Sequence, residues 1–318
     1  MTNFKIGVVG FGYWGKNQAR VFKELGTLEG IYETNQDLIK DHKNEYFFFN
    51  TLEAMLKEVD GVIICTPAET HFEIACTALE ENVDILVEKP IAMNLSQVKN
   101  IIEIEKRKQR IVMVGHQLHF HPAIKKMKEL IKDGEIGDIK WIYSNRLNLG
   151  KIRPYENVLW SFAPHDISLI LEFINDEIKS IDVQATKILN NNIEDTTLTL
   201  LNFKNNVKTH IFVSWIHPFK EQRFVIVGSN GSLVFSDTEE INKLKLFKTS
   251  ISKDGNIEKH ALTNIELPSL EPLKEQAKYF LECIENRKIN LNDSQHAYNV
   301  VSVLEESTKK IKEKSNNG

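Results

Sequence analysis

The chain has 318 residues, enough for two domains with a core of their own. It is 42% hydrophobic and 26% charged, an ordinary globular composition that excludes a disordered or fibrous class. Its 40 basic and 44 acidic residues give a net charge of −4, which excludes a general attraction to nucleic acid or anionic lipid.

In chain order, KIGVVG (5–10) is a short β-branched run followed by a glycine-rich turn, and WGKNQARVFKEL then has helical spacing. LEGIYE and YFFFN are strand-like, TLEAMLKEV helical, and VDGVIICT a buried strand. HFEIACTALEEN is helical, VDILVEK a strand, LSQVKNIIEIEKRKQ a long amphipathic helix and RIVMVG a further strand. Apolar strands alternating with helices predict an α/β Rossmann domain, a doubly wound parallel sheet, over 1–120. A helix near 122–133 follows. Then come alternating runs such as DIKWIYSNRLNL, TTLTLLNFKN, NVKTHIFVSWIH and SLVFSD, punctuated by the turn signals KNN, GSNGS and KDGN. They predict an α+β domain over 121–318 with a large open, mostly antiparallel sheet, closed by helices near 269–288 and 294–314. One face of that sheet should pack on helices. The other is expected to pair with a second subunit, since a large apolar face is seldom left bare.

Cys65, Cys76 and Cys283 form no CxxC pair, which argues against a zinc site or a disulfide framework and for a reducing compartment. MTNFKIGVVG passes directly into a strand with no signal-peptide core, and no apolar run nears the roughly 20 residues of a membrane span. A soluble cytoplasmic protein is expected, with no nucleic-acid or membrane partner.

VVGFGYWG supplies GxGxxG as Gly10, Gly12 and Gly15 at a strand end opening a helix. In that context each glycine has a task. Gly10 permits the tight turn, Gly12 lets a pyrophosphate approach the backbone, and Gly15 lets helix pack on strand. The helix N-terminus faces the phosphate. Glu33 ends the next strand, 18 residues past Gly15, where a ribose-binding acid belongs. A carboxylate there repels a 2′-phosphate, and neither Thr34 nor Asn35 is a cation that would hold one, so NAD is expected rather than NADP. The alternative is that Glu29 or Glu33 is a surface acid at a strand end.

CTPAETH (65–71) and VEKPIA (87–92) also sit at C-terminal strand ends, where open α/β sheets bind ligands. A lysine there, Lys89, can hydrogen-bond a substrate hydroxyl and help move its proton. ENVLWSFAPHDIS (156–168) places His165 and Asp166 at the start of an apolar helix. GHQLHFHP contains His116, His119 and His121, but no HxxxH and no accompanying carboxylate, so no metal is expected. His119 or His121 would line a substrate cleft or satisfy a loop.

The series VVGFGYWG, CTPAETH, VEKPIA, GHQLHFHP and FAPHDIS resembles the glucose–fructose oxidoreductase / inositol dehydrogenase / MocA (Gfo/Idh/MocA) family. The resemblance implies nicotinamide and a sugar or polyol as ligands. It gives Lys89 the contact to the reacting hydroxyl, with a cis Lys89–Pro90 bond, and His165 the role of general base. Phe11, Tyr13, Trp14, Thr66, Pro67, His71 and Glu88 fall at cofactor-flanking positions. The family has an Asp four residues before its histidine. Here that position is Ser161, which carries no charge and also suits a helix N-cap. Asp166 lies about 100° round the helix from His165, a poor substitute. NRLNLGKIRPYENVLW (145–160) resembles a subgroup that oxidises the 3-hydroxyl of UDP-N-acetylhexosamines. That likeness implies Arg146, Lys151 and Arg153 for a diphosphate and Asn148 and Asn157 for the sugar. The alternatives are dehydrogenation of a free polyol or inositol, reduction of a keto-sugar, and an NAD-binding regulatory protein without turnover.

Overall fold

The structure is a computed structural model that describes residues 4–150, 156–189, 193–251, 254 and 257–316. The chain divides into two compact units: Met1–Gln117 with Glu271–Ser302, and Leu118–Leu270 with Val303–Gly318. The first boundary lies close to the expected one at 120. The return of residues 271–302 to the first unit has no signature in a linear reading.

In the first unit, β1 (Ile6–Val9), β2 (Leu28–Tyr32), β3 (Gly61–Ile64), β4 (Asp84–Val87) and β5 (Val112–Val114) form a parallel sheet in the order β2-β1-β3-β4-β5. Strands β1, β3, β4 and β5 are buried at every position, as the continuous apolar runs require of a sheet covered on both faces. Between the strands run α1 (Tyr13–Glu24), α2 (Gln36–His42), α3 (Leu52–Leu56), α4 (Ala68–Glu80) and α5 (Leu95–Lys108). YFFFN does not form a full strand. Phe48 makes a single parallel bridge to Ile31, while Phe47 and Phe49 crowd Gly30, where an added Cβ would lie 2.8 Å from each ring.

Helix α8 (Pro272–Asn286) packs on α1. Arg287, just past its end, forks onto the buried Asp84, which also accepts the Ile111 N–H at 2.8 Å. The chain then pairs with the β5 edge, Val114 N–H donating to Asn292 O at 2.8 Å, and enters α9 (Ser294–Asn316). Thus an ion pair and an edge pairing hold the returning segment on the first unit.

The second unit contains α6 (Pro122–Lys132), β6 (Ile139–Leu149), α7 (Val158–Phe173), β7 (Ile178–Thr186), β8 (Thr196–Phe203), β9 (Lys208–Ser214), β10 (Ile216–Gly228), β11 (Gly231–Ser236), β12 (Leu244–Ile251) and β13 (Ile257–Ile265). Its sheet order is β13-β12-β11-β10-β6-β9-β8-β7, antiparallel except for β6 with β9. On one face Ile142, Ile226 and Leu233 are fully buried. On the other, Trp141, Val227, Ser232, Phe247 and Leu262 form one row across five strands by direct pairing. Trp141, Phe247 and Leu262 of that row are 37%, 37% and 48% exposed. Among the described residues no helix is long and apolar enough to cross a membrane.

Candidate active site

The glycine loop of the first unit meets the demands of each position. Gly10 has φ +87°, and its N–H donates to Tyr32 O at 2.8 Å. A Cβ on Gly15 would lie 1.9 Å from Gly10 O, so no larger residue fits there without moving the turn. A Cβ on Gly12 would meet nothing within 4 Å. Gly12 is the N-cap of α1, no side chain caps the helix, and no acid lies in its first turn. The loop therefore offers open space in front of an uncapped helix N-terminus, which fits a pyrophosphate.

Glu33 is bound to the loop more closely than its sequence position implies. One carboxylate oxygen accepts the Phe11 N–H at 2.6 Å, and the other accepts those of Thr34 and Asn35, each at 2.8 Å. A carboxylate has about four acceptor positions. Three are filled by backbone, and the Thr34 hydroxyl lies 3.5 Å from the oxygen that accepts two of them, which leaves a position on the other oxygen for a ribose hydroxyl. Phe11 turns its ring inward, 1% exposed and edge-on to His42, Tyr46 and Phe48, so only its backbone faces the loop. Tyr13 and Trp14 are exposed and meet edge to face at 5.6 Å.

Two turns lie at the same sheet end. The first follows β3, where Thr66 and Pro67 lead into α4, with Pro67 at its N-cap. The second follows β4 and carries Glu88 and the half-buried Lys89, and the Lys89–Pro90 bond is cis. Glu88 turns toward α1: Gln18 Nε2 donates to its Oε1 at 3.0 Å, and a Cβ at Gly115 would come within 3.0 Å of its Oε2. Burial raises the Glu88 pKa, and the Gln18 hydrogen bond and the Lys89 charge oppose that rise. Glu88, itself half-buried, thus ties the Lys89 turn to α1. His71 is buried, with Nδ1 2.7 Å from Pro90 O and Nε2 2.8 Å from Thr66 O.

In the second unit α7 begins four residues earlier than a cap at Ser161 requires. Asn157 is the N-cap, accepting the Trp160 N–H at 3.1 Å, and its Nδ2 donates to Glu194 at 2.8 Å. Both ends of the Asn157 amide are engaged, and Asn157 takes the cap role from Ser161. Ser161 is a buried residue of the helix, 1% exposed. Pro164 accordingly lies in the helix interior, past the first turn. His165 is half-buried.

Asp166 is 1% exposed and is held by Arg146 through two bonds, Nε to Oδ2 at 2.8 Å and Nη2 to Oδ1 at 3.0 Å. Ser144 Oγ donates to Oδ1 at 2.6 Å. The Arg146 guanidinium is therefore held inside the unit by Asp166 through two of its five N–H groups. Burying two charges is offset only by close, saturated geometry, and the bidentate fork plus the serine provides it. Asn148 is half-buried near the end of β6. Lys151 and Arg153 lie outside the described residues.

His119 and His121 make hydrogen bonds within the second unit. His119 Nε2 is 2.7 Å from Ser168 Oγ, both buried. His121 caps α6, its Nδ1 accepting the Ala123 N–H at 3.0 Å. Among the described residues no group of His, Cys, Asp and Glu is arranged to hold a metal ion.

Residues 4–116 match the family described as "Oxidoreductase family, NAD-binding Rossmann fold", and residues 124–234 match the GFO/IDH/MocA C-terminal domain. The chain belongs to the Gfo/Idh/MocA oxidoreductase family. It is similar to UDP-N-acetylglucosamine 3-dehydrogenase of Acidithiobacillus ferrooxidans, 27% identical over 59% of each chain, so the match spans under two thirds of that relative. It is also similar to myo-inositol 2-dehydrogenase of Thermotoga maritima, 23% identical over 74% of this chain and 76% of that one. The solved structure of the Acidithiobacillus enzyme, GnnA, has the same fold, with a TM-score of 0.86 over 98% of both chains at 20% identity. So has GenD2 from gentamicin A biosynthesis, solved with NAD: TM-score 0.82 over 98% of this chain and 94% of that one, at 16% identity.

This oxidoreductase therefore carries an NAD-binding Rossmann domain whose loop has room for the cofactor. Sequence reasoning missed Gln18. Its signal was present: a polar residue within the buried stripe Gly15, Gln18, Ala19, Phe22 of α1.

Proposed function

We propose that this protein oxidises a sugar hydroxyl with NAD, the substrate being a UDP-N-acetylhexosamine and the product its 3-keto form. The observation that carries the reading is the half-buried Lys89, on the turn after β4, at the sheet end that also bears the glycine loop. Bound NAD would supply the hydride acceptor. Gly12 and the start of α1 would hold its pyrophosphate, and the remaining acceptor position of Glu33 its ribose. Lys89 orients the hydroxyl and shares in moving its proton. His165 is the general base, in keeping with its half-buried place on a helix fixed by the Asp166–Arg146 pair.

Similarity to the UDP-N-acetylglucosamine 3-dehydrogenase favours a nucleotide sugar. The pairing of Arg146 with Asp166 competes with a role in holding a diphosphate, and similarity to a myo-inositol 2-dehydrogenase supports a free polyol as the second reading. The test is NADH formation with UDP-N-acetylglucosamine, UDP-N-acetylgalactosamine, myo-inositol and glucose. Turnover of myo-inositol alone would remove the nucleotide sugar, and faster turnover with NADP would remove the role of Glu33. With the active substrate, His165→Ala is expected to lower kcat roughly 10²-fold, the ordinary worth of a general base; an unchanged kcat would exclude it.

The apolar row from Trp141 to Leu262 supports pairing with a second copy of this chain through the open sheet face. Light scattering should report an oligomer, with Trp141→Glu shifting it toward monomer. A wild-type monomer at assay concentration would rule the pairing out.

A further inference from the structure

His71 stands between the two turns of the nucleotide-binding unit, 1% exposed. Its Nδ1 is 2.7 Å from Pro90 O and its Nε2 is 2.8 Å from Thr66 O. Both partners are backbone carbonyls, which only accept hydrogen bonds. A neutral imidazole carries one N–H; its other nitrogen bears a lone pair. A neutral His71 therefore satisfies one of these contacts and sets lone pair against lone pair in the other. Only the imidazolium donates to both.

We infer that His71 is a positioning residue for Lys89: a clasp that holds the Lys89–Pro90 turn to the Thr66 turn through both ring nitrogens, and only when both are protonated. The consequence for turnover rests on the proposed role of Lys89; the protonation of the ring does not.

The charged groups that act on the ring are Glu69 on its own helix and Lys89 on the facing turn, and Cys65 and Glu88 lie on the same two turns. Burial is the strongest influence and pulls the His71 pKa below the ordinary histidine value. The two carbonyls and Glu69 act the other way, and Lys89 adds to the lowering. The sign follows. Both carbonyls are held below that lowered pKa; as pH rises through it, the ring loses a proton and one carbonyl is released.

The test uses the full chain with NAD and nitrogen-labelled histidine. Two-bond proton–nitrogen correlations separate the two neutral tautomers from the imidazolium, and His71→Gln identifies the signal. The expected result is an imidazolium pattern at the acid end of the range over which the protein stays folded, giving way to one tautomer as pH rises through a midpoint below the ordinary histidine value. Over that range, amide exchange in 65–68 and 88–92 should quicken about tenfold beyond its intrinsic pH dependence, the worth of one hydrogen bond to a charged donor. His71→Gln should abolish this extra dependence and lower kcat without altering NAD affinity, and Lys89→Met should raise the midpoint. One neutral tautomer throughout in a folded protein, or exchange without the extra pH dependence, would overturn the clasp. If the ring titrates as expected while Lys89→Met turns over normally, the clasp stands and the catalytic reading of Lys89 falls.

Discussion

Lys89→Met is expected to lower kcat by roughly 10²-fold or more while the protein stays folded and binds NAD with wild-type affinity. The expectation follows from place rather than from residue type. Lys89 is half-buried on a turn that Glu88 fastens to α1 through Gln18 and that His71 fastens to the turn after β3. Such anchoring suits a group that must hold an atom still during transfer. Methionine keeps the length and apolar stem and removes the ammonium, so packing changes little. Stopped-flow formation of NADH, with NAD affinity measured separately, divides chemistry from binding. Near-normal kcat would refute the assignment, and loss of NAD affinity alone would make Lys89 a cofactor ligand instead.

Asp166→Ala is expected to cost about 3–5 kcal/mol of folding stability, because it leaves the Arg146 guanidinium buried without its partner. Arg146 and Asp166 have side chains only 14% and 2% exposed and share two hydrogen bonds. Removing the carboxylate also takes away the shorter of two acceptors of the Ser144 hydroxyl, leaving Arg223 O at 3.4 Å. The pair replaced as a whole behaves differently. Apolar residues at both positions, Arg146→Met with Asp166→Leu, should recover most of the loss, since the cost lies in the unpaired charge rather than in the missing attraction. Urea unfolding of the two single variants and the double variant gives the coupling energy. Additive losses would show that the pair does not act as a unit.

This second result bears on His165. Adjacent to it in sequence, Asp166 suggests a proton-transfer partner, but its carboxylate is held by three hydrogen bonds from Arg146 and Ser144 on β6. What it contributes is the rotational setting of α7. A helix pinned at Asp166 fixes the direction of the residue 100° round from it, which is His165. Ser161, one turn before His165, contributes no charge, so a base at His165 would have to work without the carboxylate that the family places there.

The sequence by itself determined the order of elements, the parallel sheet, the glycine loop and the family. Each of these is written in local patterns. A β-branched run makes a buried strand, glycines at 10, 12 and 15 admit only one kind of turn, and Lys89 falls at a strand end by counting. Partners distant in sequence were decided only by the tertiary structure. Likeness to a subgroup offered Arg146 to a diphosphate; its pairing with Asp166, 20 residues away, is a contact that no local pattern shows. Asn157 rather than Ser161 caps α7, because the helix starts four residues sooner than a cap at Ser161 requires. Residues 271–302 return to the first unit through Arg287 on Asp84, a contact across 203 positions. Local spacing reports which backbone forms; which side chains remain available to a ligand depends on what each one meets after the chain has folded back on itself.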